Sequence, residues 1–501
     1  MMGKTRVLLI NPPYNRFKGK DLPTFPLNLG YLAAFLEKHG CVVGIYNADL
    51  MKIEETTMFR TKWLGWRTDM ERHSMFVQSF RSGFDYIWDE VSRVVADFNP
   101  QIVGITAITA NLRPALRIAD ICKEIIPDVV VVIGGPHATV LPESVLTKES
   151  VDFLIRGEGE LGFLDLIENL WNGMSPSEVK GLSYKDGDRM VHNATRPLIH
   201  DLDSLPFPAR HLIIDSANYR ESKMNGLYNQ VLISRGCPYR CKFCASNILW
   251  DGSRWRTRSV TNVVEEIRLL ASRYRTKDFY LWSDTFTADQ RWTVEFCEEM
   301  KPLKVNWSCS TRIDRINEDC LIAMKMAGCK GVSLGIESGS DQVLKDIGKN
   351  ITVGQIETAI KVLDKVGMPW YSFFIIGFPN ETRSDIDRTF AFIKKLRPQS
   401  HKIAVAVPYP GTALYGEVKA LNLLPEKVDW NWFDGRSMYI SYVNNINRDE
   451  FIKLRDRVFT YVDRYNRRNV LKNMVREGTM MLVRDPFGLL RKLFRRVFSS
   501  L

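Results

Sequence analysis

The chain has 501 residues, 45% hydrophobic and 25% charged, the proportions of a folded globular protein rather than a disordered, collagenous or low-complexity one. Its net charge is +11, but ten basic residues from Arg464 onward face only Glu477 and Asp485, so the tail carries +8 and the near-neutral body argues against a general nucleic-acid-binding surface. No apolar run reaches the roughly 18 residues that span a bilayer. Val7–Ile10 is too short for a secretory signal, and nine cysteines do not make a disulfide scaffold. The expectation is a cytoplasmic protein of about three domains.

Arg6–Ile10 reads as a buried strand ended by Asn11-Pro12-Pro13. Leu27–His39 has helical periodicity, with Leu29, Leu32, Ala33 and Leu36 on one face and Gly40 as a stop. Strands follow at Val42–Tyr46, Ile102–Ile105, Val129–Ile133 and Val151–Ile155, with a helix over Pro114–Ile126. This alternation predicts an α/β, doubly wound (Rossmann-like) parallel sheet, whose ligand lies beyond the carboxyl ends of the strands. Those ends hold Asn11, Pro12, Pro13, then Thr106 to Thr109, then Gly134-Gly135-Pro136-His137, then Gly157-Glu158. Each alone reads as an ordinary tight turn; four on one edge point to a ligand site, because glycine lets backbone approach a large flat molecule. No G-x-G-x-x-G follows the first strand, so a dinucleotide is disfavoured. Glu54–Phe98 is aromatic-rich (Phe59, Trp63, Trp66, Phe76, Phe80, Phe84, Tyr86, Trp88) and reads as helical core packing, with an aromatic lid as the alternative.

Cys237-Pro-Tyr-Arg-Cys241-Lys-Phe-Cys244 follows a strand at Val231–Ile233. Three thiolates at this spacing can converge on one metal centre from a single loop, one short of the usual four ligands of a [4Fe–4S] cluster. Arg235, Arg240 and Lys242 would offset the negative charge of thiolates and cluster. Three structural cysteines, or a zinc site lacking its fourth ligand, is the alternative.

Cys-x-x-x-Cys-x-x-Cys in this setting resembles the radical S-adenosylmethionine (SAM) superfamily. The resemblance implies that Cys237, Cys241 and Cys244 hold a [4Fe–4S] cluster, that SAM ligates the fourth iron, and that Phe243 lies against the adenine. It further implies SAM contacts from Ser283 and Asp284 after Asp278–Trp282, from Ser310 and Arg312 in Asn306–Arg312, and from Glu337 in Gly-Ile-Glu-Ser-Gly. Strands at Gly331–Gly339, Trp370–Ile376 and Ile403–Val407 follow, separated by helices at Val260–Tyr274, Trp292–Met300, Glu318–Ala327, Val353–Val366 and Thr382–Lys395. The expectation is a partial (β/α)₆ barrel with its site at the carboxyl ends of the strands. Arg312 and Glu337 also admit a purely structural ion pair. Cys297, Cys309, Cys320 and Cys329 lack ligand spacing and read as buried small apolar residues.

Asn11-Pro12-Pro13 together with Gly134–Thr139 resembles the cobalamin-binding members of that superfamily, over about residues 5 to 420. The resemblance implies a cobalamin pocket formed by Asn11, Pro12, Pro13, Thr106, Thr109, Gly134, Gly135, His137, Gly157 and Glu158. The Asp-x-His-x-x-Gly element that ligates cobalt in many cobalamin proteins is absent, so His137 is expected to be a loop residue and not an axial ligand. The divisions expected are 1–170 for the cobalamin domain, 171–225 for a linker with a small hairpin, 226–420 for the barrel and 421–501 for a C-terminal region. Within that region Trp430, Trp432 and Phe433 close the barrel's open side.

The activity implied is methyl transfer to an unactivated carbon by an adenosyl radical and methylcobalamin, with electrons from a flavodoxin or ferredoxin. Cyclisation or oxidation, as in the anaerobic porphyrin-ester cyclases, is the alternative. A tRNA methylthiotransferase-like activity lacks its second cysteine triad here, and a non-catalytic cobalamin sensor does not need the barrel. Finally, Phe487, Leu489, Leu490, Leu493, Phe494, Val497, Phe498 and Leu501 recur at helical spacing opposite Arg491, Lys492, Arg495 and Arg496. This fits a helix over 487–501 lying on an anionic membrane, or equally one packed on the barrel with a solvated basic face. Membrane contact would favour a lipid or other lipophilic small-molecule substrate.

Overall fold

The computed structural model describes residues 5–484 apart from 21–23, 53–54, 56–65, 80–84, 215–227, 251, 253 and 435–441. Two sheets organise the chain. The first contains β1 (Arg6–Asn11), β2 (Val42–Asn47), β3 (Ile102–Thr106), β4 (Val130–Gly134), β5 (Phe153–Ile155), β6 (Leu182–Asp186) and β7 (Arg189–His192), in the order 2-1-3-4-5-6-7. The first five are mutually parallel. Their side chains alternate between two cores: Val7 and Leu9 join the core under the helices Leu27–Lys38 and Gly159–Asn172. Leu8 and Ile10 join the core under Asp85–Phe98 and Leu112–Ile125. A strand buried on both faces is apolar throughout, which is why β1 and β3 read as continuous hydrophobic runs. The order reverses between β1 and β3, so the crevice opens between the loops that follow them. The hairpin β6–β7 pairs antiparallel with the edge of β5, extending this sheet.

The second sheet contains β8 (Gln230–Leu232), β11 (Asp278–Trp282), β12 (Asn306–Arg312), β13 (Cys329–Glu337), β14 (Trp370–Ile376) and β15 (Ser400–Val405), each hydrogen-bonded to the next in parallel. Helices Val260–Tyr274, Gln290–Met300, Glu318–Met326, Val353–Val366 and Arg383–Lys395 connect them. Each helix begins with a side chain that accepts from its own first-turn N–H: Ser259, Asp289, Asn317, Thr352 and Thr382. These caps satisfy donors the helix cannot and set where each strand's loop ends. The result is an open six-stranded (β/α) barrel. A short ribbon, β9 (Ser234–Arg235) with β10 (Arg256–Thr257), flanks the cysteine loop. Cys297, Cys309, Cys320 and Cys329 are buried in the barrel core, where desolvation pushes up the thiols of Cys297, Cys309 and Cys320, the last to about 11.

The aromatic segment packs as core where it is described. Phe76 is fully buried, and Trp66 stands edge-on to Phe459 at 5.8 Å in the barrel core, while Tyr86 is exposed. Phe59, Trp63, Phe80 and Phe84 lie outside the described residues. The C-terminal segment does more than close the barrel. Trp430 meets the His137 ring edge-on at 5.5 Å, and Asp434 accepts from the Tyr14 hydroxyl at 2.7 Å and Lys18 Nζ at 2.5 Å, so it clasps the loop after β1. A helix over Arg448–Arg484 then buries Phe451, Leu454, Val458, Phe459 and Val462 against the barrel. Beyond Asn469 it exposes Val470, Leu471 and Val475. The expected helix over 487–501 lies outside the described residues. Among the described residues no helix is long and apolar enough to cross a membrane.

Candidate cofactor site

The carboxyl ends of both sheets border one cavity of about 680 Å³, the size class of an organic cofactor or ligand pocket. Its first-sheet wall takes Asn11, Pro12, Thr106, Gly134, Gly135, Gly157 and Glu158 from the expected set. Most of that wall is backbone. Gly135 has φ +97°, and a Cβ there would sit 2.9 Å from the Ala107 carbonyl oxygen. Gly157 has φ +83° with open space where its Cβ would stand. Asn28, which the sequence reading missed, donates to Thr106 Oγ1 at 3.0 Å and lines the cavity with Tyr14 and Tyr31.

Pro13, Thr109 and His137 do not form this wall. His137 is fully buried, with Nδ1 bonded to Thr109 Oγ1 at 3.1 Å and Nε2 to Ser144 Oγ at 2.9 Å. Burial lowers its pKa to about 4, so it is neutral and both nitrogens are occupied. The pocket assignment of these three residues is corrected: Thr109 and His137 form a hydrogen-bonded support behind the loop.

The cysteine loop leaves β9 through Gly236, whose φ is +90° and whose Cβ would lie 1.9 Å from the Arg254 carbonyl oxygen. Only glycine passes there. Farther on, Lys242 N donates to the Ile347 carbonyl at 2.9 Å, and Cys244 N to that of Cys241 at 3.1 Å. Cys237 Sγ lies 3.7 Å from Thr285 Oγ1. Burial raises the Cys237 and Cys244 thiols, Cys244 to about 12; a metal must therefore displace protons on binding. Among the described residues no three Cys, His, Asp or Glu side chains converge tightly enough for a single ion.

The residues expected to meet SAM divide into two groups. Ser283 and Asp284 line the cavity; Ser283 Oγ lies 2.8 Å from Ser234 Oγ, and Asp284 accepts from Ser246 Oγ at 2.6 Å. Burial raises the Asp284 pKa. Phe243 stacks obliquely near Phe378, centroids 5.8 Å apart, beside a small pocket with Val343, Ile347 and Leu414. The second group is committed elsewhere. Ser310 Oγ is bonded to the Tyr280 hydroxyl at 2.8 Å. Glu337, at φ +68°, accepts from buried Lys349 Nζ at 3.0 Å. Arg312 pairs with Asp314 and donates to the Lys349 carbonyl.

A buried ion network joins the two walls. Arg235 donates to Glu158 at 2.7 Å and to Glu160 at 2.6 Å. Glu158 also accepts from Arg256 at 3.0 Å and from Ile199 N at 2.6 Å. Although burial opposes ionisation, the arginines hold the Glu158 carboxyl below its usual range. Two expectations change here. Glu158 lines the cavity but spends its charge on the barrel, and Arg235 spends its charge on Glu158 and Glu160 rather than on the cysteine loop.

A single loop of three cysteines at the carboxyl end of an open six-stranded barrel, facing a doubly wound domain, defines a two-cofactor enzyme architecture. The Radical SAM superfamily matches residues 231–393 and the B12 binding domain matches residues 65–167. A methyltransferase of Pyrococcus horikoshii, itself uncharacterised, is 35% identical over 417 residues, covering 82% of this chain and 89% of that protein. Cytidylyl-2-hydroxyethylphosphonate methyltransferase of Streptomyces wedmorensis is 30% identical, covering 82% and 81%. Anaerobic magnesium-protoporphyrin IX monomethyl ester cyclase of Cereibacter sphaeroides is 30% identical over 67% of this chain and 56% of that one. Among solved structures, the radical SAM methyltransferase TsrM of Kitasatospora setae, with cobalamin and a [4Fe–4S] cluster, superposes with TM-score 0.61 at 17% identity, covering 83% of this chain and 75% of TsrM. OxsB, a cobalamin-dependent SAM radical enzyme, gives 0.62 at 20%, covering 84% and 56%; at these identities the likeness speaks for the fold.

The chain belongs to the cobalamin-binding radical SAM enzyme family. The cofactors of that class are a [4Fe–4S] cluster, SAM and cobalamin.

Proposed function

We propose that this enzyme transfers a methyl group to an unactivated carbon of a lipophilic small molecule. The observation that carries this reading is the shared cavity: one wall is the first sheet's glycine edge, and the other ends at Gly236, next to Cys237. The residues present fit the cofactors. Cys237, Cys241 and Cys244 would hold the cluster, with Ser283, Asp284 and Phe243 at SAM. Asn11, Pro12, Thr106, Gly134, Gly135 and Gly157 would shape the bed for cobalamin. Together the three groups supply C–H activation and a methyl group.

The chain's own work is placement and exclusion of water. The backbone of Gly134, Gly135 and Gly157 lets a broad ring approach without side-chain interference. With His137 withdrawn behind the wall, no imidazole is offered to a bound cobalt. The Arg235–Glu158–Glu160 network fixes the cluster loop against the opposite domain. Electrons come from a flavodoxin- or ferredoxin-type donor.

Support for a lipophilic substrate and an anionic membrane surface comes from the C-terminal helix. Past Asn469 it presents exposed Val470, Leu471 and Val475 near Arg468 and Lys472 in the sequence, and the sequence 487–501 is likewise basic and apolar. Anionic but not neutral vesicles are expected to float the full chain, and removal of residues 485–501 to abolish this; flotation with neither would remove the membrane from the reading.

The test of the enzyme reading is anaerobic reconstitution with iron, sulfide and hydroxocobalamin, then incubation of the loaded chain with SAM, reductant and candidate lipophilic acceptors. Expected are four irons per chain, retained cobalamin, and a product heavier by one methylene. A product lighter by two hydrogens would replace methyl transfer with cyclisation or oxidation, and a cluster without cobalamin would overturn the two-cofactor reading.

A further inference from the structure

Arg312 is placed by four contacts that have nothing to do with the cysteine loop's sulfurs. Its Nε and one terminal nitrogen donate to Asp314 at 2.9 and 3.0 Å, and that same nitrogen donates to the Lys349 carbonyl at 2.8 Å. Its plane lies over the Tyr239 ring, 3.8 Å from the centroid. A guanidinium is a rigid planar fork. Once these contacts are made, the direction of the remaining terminal nitrogen is fixed, and it points at Cys241 Sγ, 3.5 Å away. Both groups are buried: Arg312 is 5% exposed and Cys241 8%. Asp314, the counter-charge, is more exposed to solvent than its partner, so water screens it while the cationic edge facing the sulfur stays unscreened.

We infer that Arg312 is a positioning residue that tunes the reduction potential of the cluster through an N–H···S bond to Cys241. This rests on the cluster assignment made above and goes beyond it, because it gives Arg312 a role toward the iron centre rather than toward SAM. Hydrogen bonds to ligand sulfurs and nearby charge are among the features that set iron–sulfur potentials. Reduction adds one electron to the centre, and a fixed cation and N–H donor stabilise that added negative charge. Arg312 therefore raises the potential, making the electron easier to accept from a protein donor. Lys349 is ion-paired with Glu337 at 3.0 Å, so its charge is balanced by its own partner, whereas Arg312 donates directly to the sulfur.

The experiment is a potentiometric titration, followed by EPR, of the reconstituted cluster without SAM in the wild type, Arg312→Gln and Arg312→Lys. Arg312→Gln is expected to make the midpoint more negative. Arg312→Lys, which keeps charge but cannot reproduce the fork, should fall between. Iron content per chain and the melting temperature are measured alongside. Unchanged midpoints in variants carrying full iron would overturn the role of Arg312 while leaving the cluster intact. If the Gln variant takes up no iron, the Lys variant decides: a negative shift supports the inference and a wild-type midpoint overturns it. A wild-type chain with no [4Fe–4S] signal would instead overturn the cluster assignment.

Discussion

The two walls of the cavity are made of different material. The first-sheet wall is largely backbone, Gly134, Gly135, Gly157, Pro12, Pro26 and Pro136, with neutral amides such as Asn11 and Asn28, and its carboxylates Glu158 and Glu160 are paired with Arg235. The barrel wall presents side chains, among them Gln230, Ser234, Arg235, Trp282, Ser283 and Asp284, and elsewhere the barrel holds charged groups out of water, such as Arg256, Arg312, Lys349 and Glu337. A backbone wall recognises shape and tolerates a large, evenly polar ligand. A wall of buried ions fixes geometry, and it leaves expensive vacancies when one member is removed. The wall of shape suits a broad macrocycle; the wall of charge suits an anionic cluster and a zwitterionic amino acid.

The largest effect is expected where the barrel side does rely on backbone. Gly236→Ala drives a methyl into the Arg254 carbonyl at 1.9 Å, and neither atom can yield without moving β9 against β10. Iron content after reconstitution is expected to fall to near zero. Gly135→Ala meets its neighbour at 2.9 Å and should weaken cobalamin retention while leaving iron unchanged. Equal loss of both cofactors in either variant would show that the walls are not separable.

Next is the network that joins them. Arg235→Leu leaves Glu160 without its arginine and Glu158 with Arg256 alone, which should cost about 3–5 kcal/mol in a denaturant melt of the apo chain. Because the Glu158 pKa is lowered in the folded state, its contribution is complete above the ordinary carboxyl range and fades as pH drops through its folded value. Arg235→Leu should therefore flatten the acid limb of the stability curve, whereas a wild-type acid limb in the variant would place the acid sensitivity elsewhere.

A separate effect runs the other way in pH. Glu381 is 1% exposed, and burial raises its pKa to about 8, although its Oε2 accepts from Gly377 N and Phe378 N. Oε1 has no partner. Between the ordinary value near 4.5 and about 8, the folded carboxyl keeps a proton that the unfolded chain has released. Stability should therefore fall with rising pH across that window, by about 1.4 kcal/mol per unit, and level off above it. Glu381→Gln keeps an acceptor for both amides and should remove the slope in melts from pH 5 to 9.

What could be read from the sequence follows the same division. The glycine edge was legible because a positive φ and a missing Cβ are properties of the residue itself. The cysteine loop was legible because its ligands lie within eight positions. Side-chain partnerships were not: Glu158 meets Arg235 across 77 positions, and Asp434 meets Tyr14 across 420. No periodicity records such pairs, so the sequence alone points Arg235 to the sulfurs and, through the resemblance, Arg312 to SAM. The β6–β7 hairpin was visible from Asp186-Gly187, but its pairing with β5 depends on an edge formed by distant strands.

The smallest effect is the sharpest test of the backbone wall. A histidine in a glycine-rich loop at a cobalamin edge invites assignment as the cobalt ligand, and in this chain His137 sits in that position. Its ring is instead turned into the domain, bonded through both nitrogens and capped by Trp430. His137→Gln should lower stability by about 1 kcal/mol, the usual net worth of a lost hydrogen bond. It should leave the EPR spectrum of bound cob(II)alamin unchanged, because this imidazole does not reach the cobalt in either protein. Nitrogen splitting in the wild type that disappears in the variant would mean that this loop turns outward to meet the cofactor, and that the first-sheet wall binds through a side chain after all.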